Sequence, residues 1–169
     1  MIYLDHAATT KPHEEVTASM QPYLEDHYCN PSAVYATAED EAVRNARAAV
    51  ADLLNASAQN IVFTGGGSEA DNLSLKGAIE VADGQHVVTT TIEHSAVIET
   101  ANWLEDHDTD VTRVAPGQDG RIDPADIADA IRPDTALVSV MHANNETGII
   151  QPLEAIGKIT DEYHGLYEP

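Results

Sequence analysis

Asn60-Ile61-Val62-Phe63-Thr64-Gly65-Gly66-Gly67-Ser68-Glu69-Ala70-Asp71-Asn72-Leu73-Ser74-Leu75 is the stretch from which the fold of this 169-residue chain can be read. Ile61 to Thr64 is a β-branched and aromatic run that predicts a buried strand. Three glycines end it, freeing the backbone and removing side chains that would hold a ligand away. Ser68 is a good N-cap, so a helix is expected from Ser68 to Val81 with free backbone N–H groups at its start. Strand, glycine turn and helix start together make an anion cradle, most often for phosphate.

Downstream the pattern repeats. Strands are expected at His86–Ile92, Val111–Val114 and Thr135–Met141. Helices are expected at Ser95–Glu105, after the Asp123-Pro124 start signal, and at Leu153–Tyr163. Aspartate as cap with proline at the first helical position is a strong start for the second of these. Alternation of this kind predicts an α/β fold with a mostly parallel sheet flanked by helices. Upstream, Ile2–Leu4 reads as a short strand and Lys11-Pro12-His13 as a turn into a helix. That helix carries Val16, Met20, Tyr23 and Leu24 at helical spacing, and an alanine-rich helix spans Ala33–Leu54. Gly165-Leu166-Tyr167 reads as the start of one more strand, so the chain is expected to be truncated.

In such sheets ligands sit beyond the carboxyl ends of the strands. Three loops fall there: Gly65–Ser68, Glu93-His94, and His142-Ala143-Asn144-Asn145-Glu146. The glycine loop leaves three readings open. Gly65-Gly66-Gly67-Ser68-Glu69-Ala70 fits the dinucleotide fingerprint G-x-G-x-x-A, with Glu93 as a late candidate for the ribose acid. It also fits a single phosphate at a helix start, or a turn that merely connects strand to helix. His94 could stack on a flat ring or shuttle protons, or be a solvated loop histidine. Asn144-Asn145-Glu146 could hold a polar ring substituent or a substrate carboxylate, or be a polar turn.

Asp and Glu number 29 against 8 Lys and Arg, a formal charge of −21, and the acids are dispersed rather than gathered in a tail. A single-signed surface repels nucleic acid and anionic membranes. With only Lys11, Lys76 and Lys158 as lysines, it suits a halophilic protein whose self-repulsion salt screens. No apolar run has the length of a membrane span, and the start carries no signal-peptide pattern, so a cytoplasmic protein is expected. The eight histidines are scattered, no paired-cysteine or H-E-x-x-H spacing occurs, and no metal site is expected. Cys29 is the sole cysteine and has no convincing basic neighbour apart from His27, so it is not assigned as a nucleophile.

Five motifs in order carry a more specific message: Tyr3–Thr10 (Y-L-D-H-A-A-T-T), Asn30-Pro31-Ser32, the Gly65–Asn72 loop, Thr91-Ile92-Glu93-His94, and Met141–Gly148 (M-H-A-N-N-E-T-G). As a set they resemble the N-terminal part of cysteine desulfurases of the class V aminotransferase group, pyridoxal-phosphate enzymes of fold type I. The resemblance runs from Met1 to about Tyr167, less than half of a complete family member. Residues 1–30 are then expected as an N-terminal segment and 31–169 as part of the pyridoxal-phosphate-binding large domain.

The resemblance implies that Gly67 and Ser68 bind the cofactor phosphate, where the family often has threonine at the Ser68 position. It implies that His94 stacks on the pyridine ring and assists proton transfer. Asn145 would meet the ring hydroxyl or the substrate, and Asn30 would approach the substrate. It further implies L-cysteine as substrate, alanine and an enzyme-bound persulfide as products, a homodimer, and an iron–sulfur scaffold or other sulfur acceptor as partner.

The family's aspartate for the pyridinium nitrogen and its neighbouring glutamine would follow Tyr167, where this chain reads Glu168-Pro169. Its Schiff-base lysine and sulfur-accepting cysteine come later still. Lys11, Lys76, Lys158 and Cys29 match neither motif. This polypeptide alone is therefore expected to lack desulfurase activity and to bind the cofactor weakly or not at all. Two alternatives stay open: a dinucleotide-dependent oxidoreductase domain, and a non-catalytic remnant acting as a binding module.

Overall fold

The computed structural model describes residues 2–30, 32–33, 37–82 and 84–164. The chain divides into two compact units, Met1–Phe63 and Thr64–Pro169.

The first unit is helical. Helix α1 runs Glu14–Glu25 and helix α2 runs Thr37–Leu54, followed by a 3-10 turn at Ala58–Asn60. The expected strand at Ile2–Leu4 does not form among the described residues. Tyr3 instead donates its hydroxyl to the carbonyls of Asp5 (2.7 Å) and Thr9 (3.0 Å), folding the D-H-A-A-T-T segment into a turn. The stripe Val16, Met20, Tyr23 and Leu24 is about half or more exposed along α1, which buries none of its residues. Asn55 closes α2 with φ 51°, the left-handed conformation that asparagine tolerates at a helix end. Arg47 then reaches from α2 to the carbonyl of Ile61 and lies 5.1 Å from the centre of the Phe63 ring.

Ile61–Thr64 is extended at its start but joins no ladder among the described residues, and Val62 and Phe63 are exposed. β-branched residues favour an extended backbone, yet a strand exists only where another strand pairs with it.

The second unit contains the expected parallel sheet. Helix α3 spans Gly67–Val81, strand β1 His86–Thr90, helix α4 Ser95–Glu105 and strand β2 Asp110–Val114. Helix α5 spans Pro124–Ala130, strand β3 Thr135–Val138 and helix α6 Leu153–His164. The strand order is β2-β1-β3, all parallel. Val88 pairs with Thr112 on one side and Val138 on the other. The central strand β1 is buried along its whole length, as a strand covered on both faces must be.

Alternate residues of β1 feed two cores. Val87 packs with Leu75 of α3 and Val97 and Leu104 of α4. Val88 packs with Val114, Ile122, Ile127 of α5 and Ile156 of α6 on the opposite face. α3 and α4 thus cover one face, α5 and α6 the other. Burying side chains of this size contributes roughly 1.5–3 kcal/mol each. The edge of β3 away from β1 borders a groove of about 460 Å³, lined among others by Val81 of α3, Leu137 and Tyr163.

Asp123 caps α5 as expected, its carboxylate accepting from the Ala125 N–H at 2.9 Å. The strand expected at Thr135–Met141 stops at Val138, and that expected at His86–Ile92 stops at Thr90. Beyond Ser139 no backbone hydrogen bond joins these two segments among the described residues. Gly165–Tyr167, expected to start a further strand, lies outside the described residues.

Candidate functional site

Helix α3 ends four residues before β1 begins and packs through Leu75 and Ile79 onto the face carrying Val87 and Leu137. Its start therefore points toward the carboxyl ends of the strands. The loop after β1 enters α4 at the same edge, and the loop after β3 follows there too.

The cap of α3 is Gly66, two residues earlier than the Ser68 cap read from the sequence, and no side-chain hydrogen bond satisfies it. Ser68 is instead inside the first turn. The first intrahelical bond runs from Ala70 N–H to the Gly66 carbonyl at 3.1 Å. The N–H groups of Gly67, Ser68 and Glu69 precede that bond and have no acceptor among the described residues. A side chain at Gly66 or Gly67 would meet nothing within 4 Å, so open space lies before the donors. The Glu69 carboxylate is held back on the Gly65 N–H at 2.7 Å. Three uncapped donors at the positive end of a 15-residue helix are an arrangement able to hold an anion. Their chemistry fits a single phosphate monoester.

His94 is the N-cap of α4, its Nδ1 accepting from the Ala96 N–H at 3.1 Å. That bond leaves Nε2 as the nitrogen that carries the proton in the neutral ring. The ring itself is exposed. The capping role was not read from the sequence. Its signal is the position alone, since histidine is an uncommon cap.

Glu93, a candidate ribose acid by sequence, is only 8% exposed. One carboxylate oxygen accepts from the Thr90 hydroxyl at 2.8 Å and the Met141 N–H at 2.9 Å. Burial raises its pKa above the ordinary carboxylate value, and the two hydrogen bonds partly oppose that. A carboxylate enclosed in this way cannot reach a ribose, which removes the acid that the dinucleotide reading needs.

The loop after β3 is a tight antiparallel turn. Ala143 bridges Ile150, Asn144 N–H donates to the Ile149 carbonyl (3.0 Å), and Gln151 N–H donates to the His142 carbonyl (2.9 Å). Asn144 fills the turn. Its amide oxygen accepts from Glu146 N–H (3.0 Å), Thr147 N–H (2.8 Å) and the Thr147 hydroxyl (3.0 Å). Its amide nitrogen donates to the Ile92 carbonyl at 3.0 Å. Asn145 is exposed, and among the described residues its side chain bonds only to Glu146, at 2.9 Å. Gln151, 3% exposed, braces the turn from behind through Ile122 N–H (2.9 Å) and the Gly120 carbonyl (3.1 Å).

Gly67 and Ser68 in the first turn of α3, and His94 and Asn145 in the loops after β1 and β3, thus lie at one edge of the second unit's sheet. Asn30 belongs to the first unit, where its side-chain oxygen accepts from Ser32 N–H at 3.0 Å.

The second unit is thus an α/β fold whose parallel sheet is covered on both faces, with an uncapped helix start and a capping histidine at its carboxyl edge. The sequence profile described as aminotransferase class-V matches residues 2–167, and the chain belongs to that family, corresponding to its N-terminal part. It is 46% identical over 166 residues to the cysteine desulfurase IscS of Anaeromyxobacter sp. (strain K), covering 95% of this chain and 41% of that protein. To the cysteine desulfurase IscS of Azotobacter vinelandii it is 44% identical over 173 residues, 98% of this chain and 43% of the relative.

Solved structures agree. SspA in complex with cysteine superposes with a TM-score of 0.90 at 40% identity, covering 96% of this chain and 48% of that one. A NifS-like protein superposes with 0.92 at 32% identity, covering 97% and 46%. The chain spans about two-fifths of the length of these curated relatives. The resemblance read from the five motifs and the fold it implied are both borne out.

Proposed function

We propose that this chain forms the phosphate side and one ring-facing side of a pyridoxal-phosphate site in a cysteine desulfurase. The observation that carries it is the uncapped start of α3, with Gly67, Ser68 and Glu69 N–H free beside the loop that holds His94. Gly67 and Ser68 hold the phosphate, Ser68 adding its hydroxyl. The exposed His94 ring faces the pyridine with its proton on Nε2, and Asn145 offers its amide to a ring substituent or to substrate. When bound, the cofactor supplies an electron sink for bond breaking at the substrate α-carbon.

L-cysteine as substrate, Asn30 at the substrate, a homodimer, and an iron–sulfur scaffold or other sulfur acceptor belong to the same proposal, as does a cytoplasmic location. The dispersed charge of −21 supports a halophilic setting.

None of Lys11, Lys76 and Lys158 lies in the three loops of the site. This polypeptide alone is therefore expected to lack desulfurase activity, and to hold the cofactor at most weakly, through the phosphate rather than covalently. Calorimetric titration with pyridoxine 5′-phosphate and with pyridoxine tests this. Binding of the phosphate ester and not of the free alcohol is expected. Equal behaviour of the two compounds overturns the reading.

A further inference from the structure

The backbone ladder between β1 and β3 ends at the bond from Ser139 N–H to the Val88 carbonyl, 2.8 Å long. Past it, no backbone pair joins the segments that follow the two strands among the described residues. Two side chains take over. Glu93 of the first loop accepts from Met141 N–H of the second (2.9 Å), and Asn144 of the second donates to the Ile92 carbonyl of the first (3.0 Å). The bonds run in opposite directions across the same gap, so each loop holds the other.

Both side chains are committed inward. Glu93 is buried, with its carboxylate also accepting from Thr90. Asn144 has its amide oxygen filled by three donors and its nitrogen engaged with Ile92. The residue that follows each one is exposed: His94 after Glu93, Asn145 after Asn144. An inward lock thus precedes an outward polar group on both sides of the gap.

We propose that Glu93 and Asn144 are positioning residues that together set the separation and orientation of His94 and Asn145 at the cofactor ring. The proposal rests on the pyridoxal-phosphate reading above. The phosphate donors of α3 stand outside the lock, since among the described residues the N–H groups of Gly67, Ser68 and Glu69 make no bond to either loop. A defect in the lock should therefore damage recognition of the ring and spare recognition of phosphate.

The test compares pyridoxine 5′-phosphate with inorganic phosphate on the wild-type chain and on Glu93→Ala, Glu93→Gln and Asn144→Ala. Glu93→Ala and Asn144→Ala are expected to weaken pyridoxine 5′-phosphate at least about fivefold and to leave phosphate within about twofold. Glu93→Gln keeps an acceptor for Thr90 and Met141 and should restore the ring ligand. Equal loss of both ligands, or loss of neither, overturns the proposal. Should Glu93→Ala fail to fold, Asn144→Ala and Glu93→Gln carry the comparison. A wild-type chain that binds phosphate and not pyridoxine 5′-phosphate would instead overturn the cofactor reading. The lock is then judged by amide chemical shifts in Asn144→Ala, where unmoved His94 and Asn145 signals overturn it.

Discussion

His86 Nδ1 lies 2.7 Å from Thr135 Oγ1, while its Nε2 lies 2.8 Å from Thr112 Oγ1, so one fully buried imidazole ties the start of β1 to both neighbouring strands. A neutral ring can donate to one hydroxyl and accept from the other; a charged ring cannot accept at all. Burial, reinforced by Arg132, lowers its pKa below the ordinary 6.5, with Asp134 and Asp110 opposing. Arg132 is itself paired to those two carboxylates at 2.9 and 3.0 Å.

The sign of the pH effect follows. Above 6.5 the ring is neutral in both folded and unfolded chains and costs nothing. As pH falls below 6.5 the unfolded chain takes up the proton first, and stability is lost down to the depressed folded value. Denaturant unfolding between pH 7.5 and 5 should show a slope approaching at most about 1.4 kcal/mol per pH unit. His86→Gln should flatten it. An unchanged slope in that variant would sink the assignment.

Glu93 gives the opposite sign at lower pH. Its raised pKa means that the folded state holds the proton more tightly, so the burial penalty is absent below the ordinary carboxylate value of 4.5 and grows as pH rises through the folded value. Glu93→Gln should therefore gain stability relative to wild type as pH is raised from 4 to 7, followed by thermal melts at each pH. A difference that stays constant across that range would count against a buried, titrating carboxylate.

Gly67→Pro separates ligand binding from folding. Proline suits the first helical position, and the preceding Gly66 is extended (ψ 177°), as proline requires. The variant loses one of the N–H groups proposed to meet the phosphate, a bond to a charged group worth roughly 1.5–3 kcal/mol. Phosphate affinity should fall roughly ten- to a hundredfold, with melting temperature unchanged or higher. Retained affinity would show that the α3 start is not the phosphate site.

Gly84 and Gly66 make a matched pair. A Cβ at Gly84 would sit 2.3 Å from the Asp134 carbonyl oxygen, a backbone atom that cannot swing away, whereas one at Gly66 meets nothing. Gly84→Ala should cost on the order of 3 kcal/mol and lower the melting temperature on the order of 10 °C. Gly66→Ala should be close to neutral. Comparable melts for the two variants would contradict this packing.

Salt should stabilise the protein. With a net charge of −21, raising KCl from 0.1 to 1 M shortens the screening length from about 10 to about 3 Å and removes most self-repulsion. The melting temperature is expected to climb over that range. A flat profile would argue against halophilic adaptation.

Much of the second unit was legible because its cues are local. The apolar runs at His86, Val111 and Thr135 gave the three strands, and Asp123-Pro124 gave the start of α5. What escaped depends on partners distant in sequence. Ile61–Thr64 has the composition of a strand, but pairing decides, and composition carries no record of pairing. Glu93 and Asn144 looked like exposed loop polars because their partners, Met141 and Ile92, lie 48 and 52 residues away. The shift of the α3 cap from Ser68 to Gly66 escaped for another reason. Serine is the better cap, and only an unfilled cap leaves donors for a ligand.

The distribution of helices over the two faces has one more consequence. From β1 to β2 the chain crosses over α4's face in one direction, and from β2 to β3 it returns under α5 on the opposite face, both right-handed as such crossovers are. α6 lies on the same side as α5. Keeping the hand, it can deliver a succeeding parallel strand only to the far side of β3, into the groove between α3 and α6. The sheet can be extended from α6 in one direction alone. Its other margin, at β2, is out of reach of that helix.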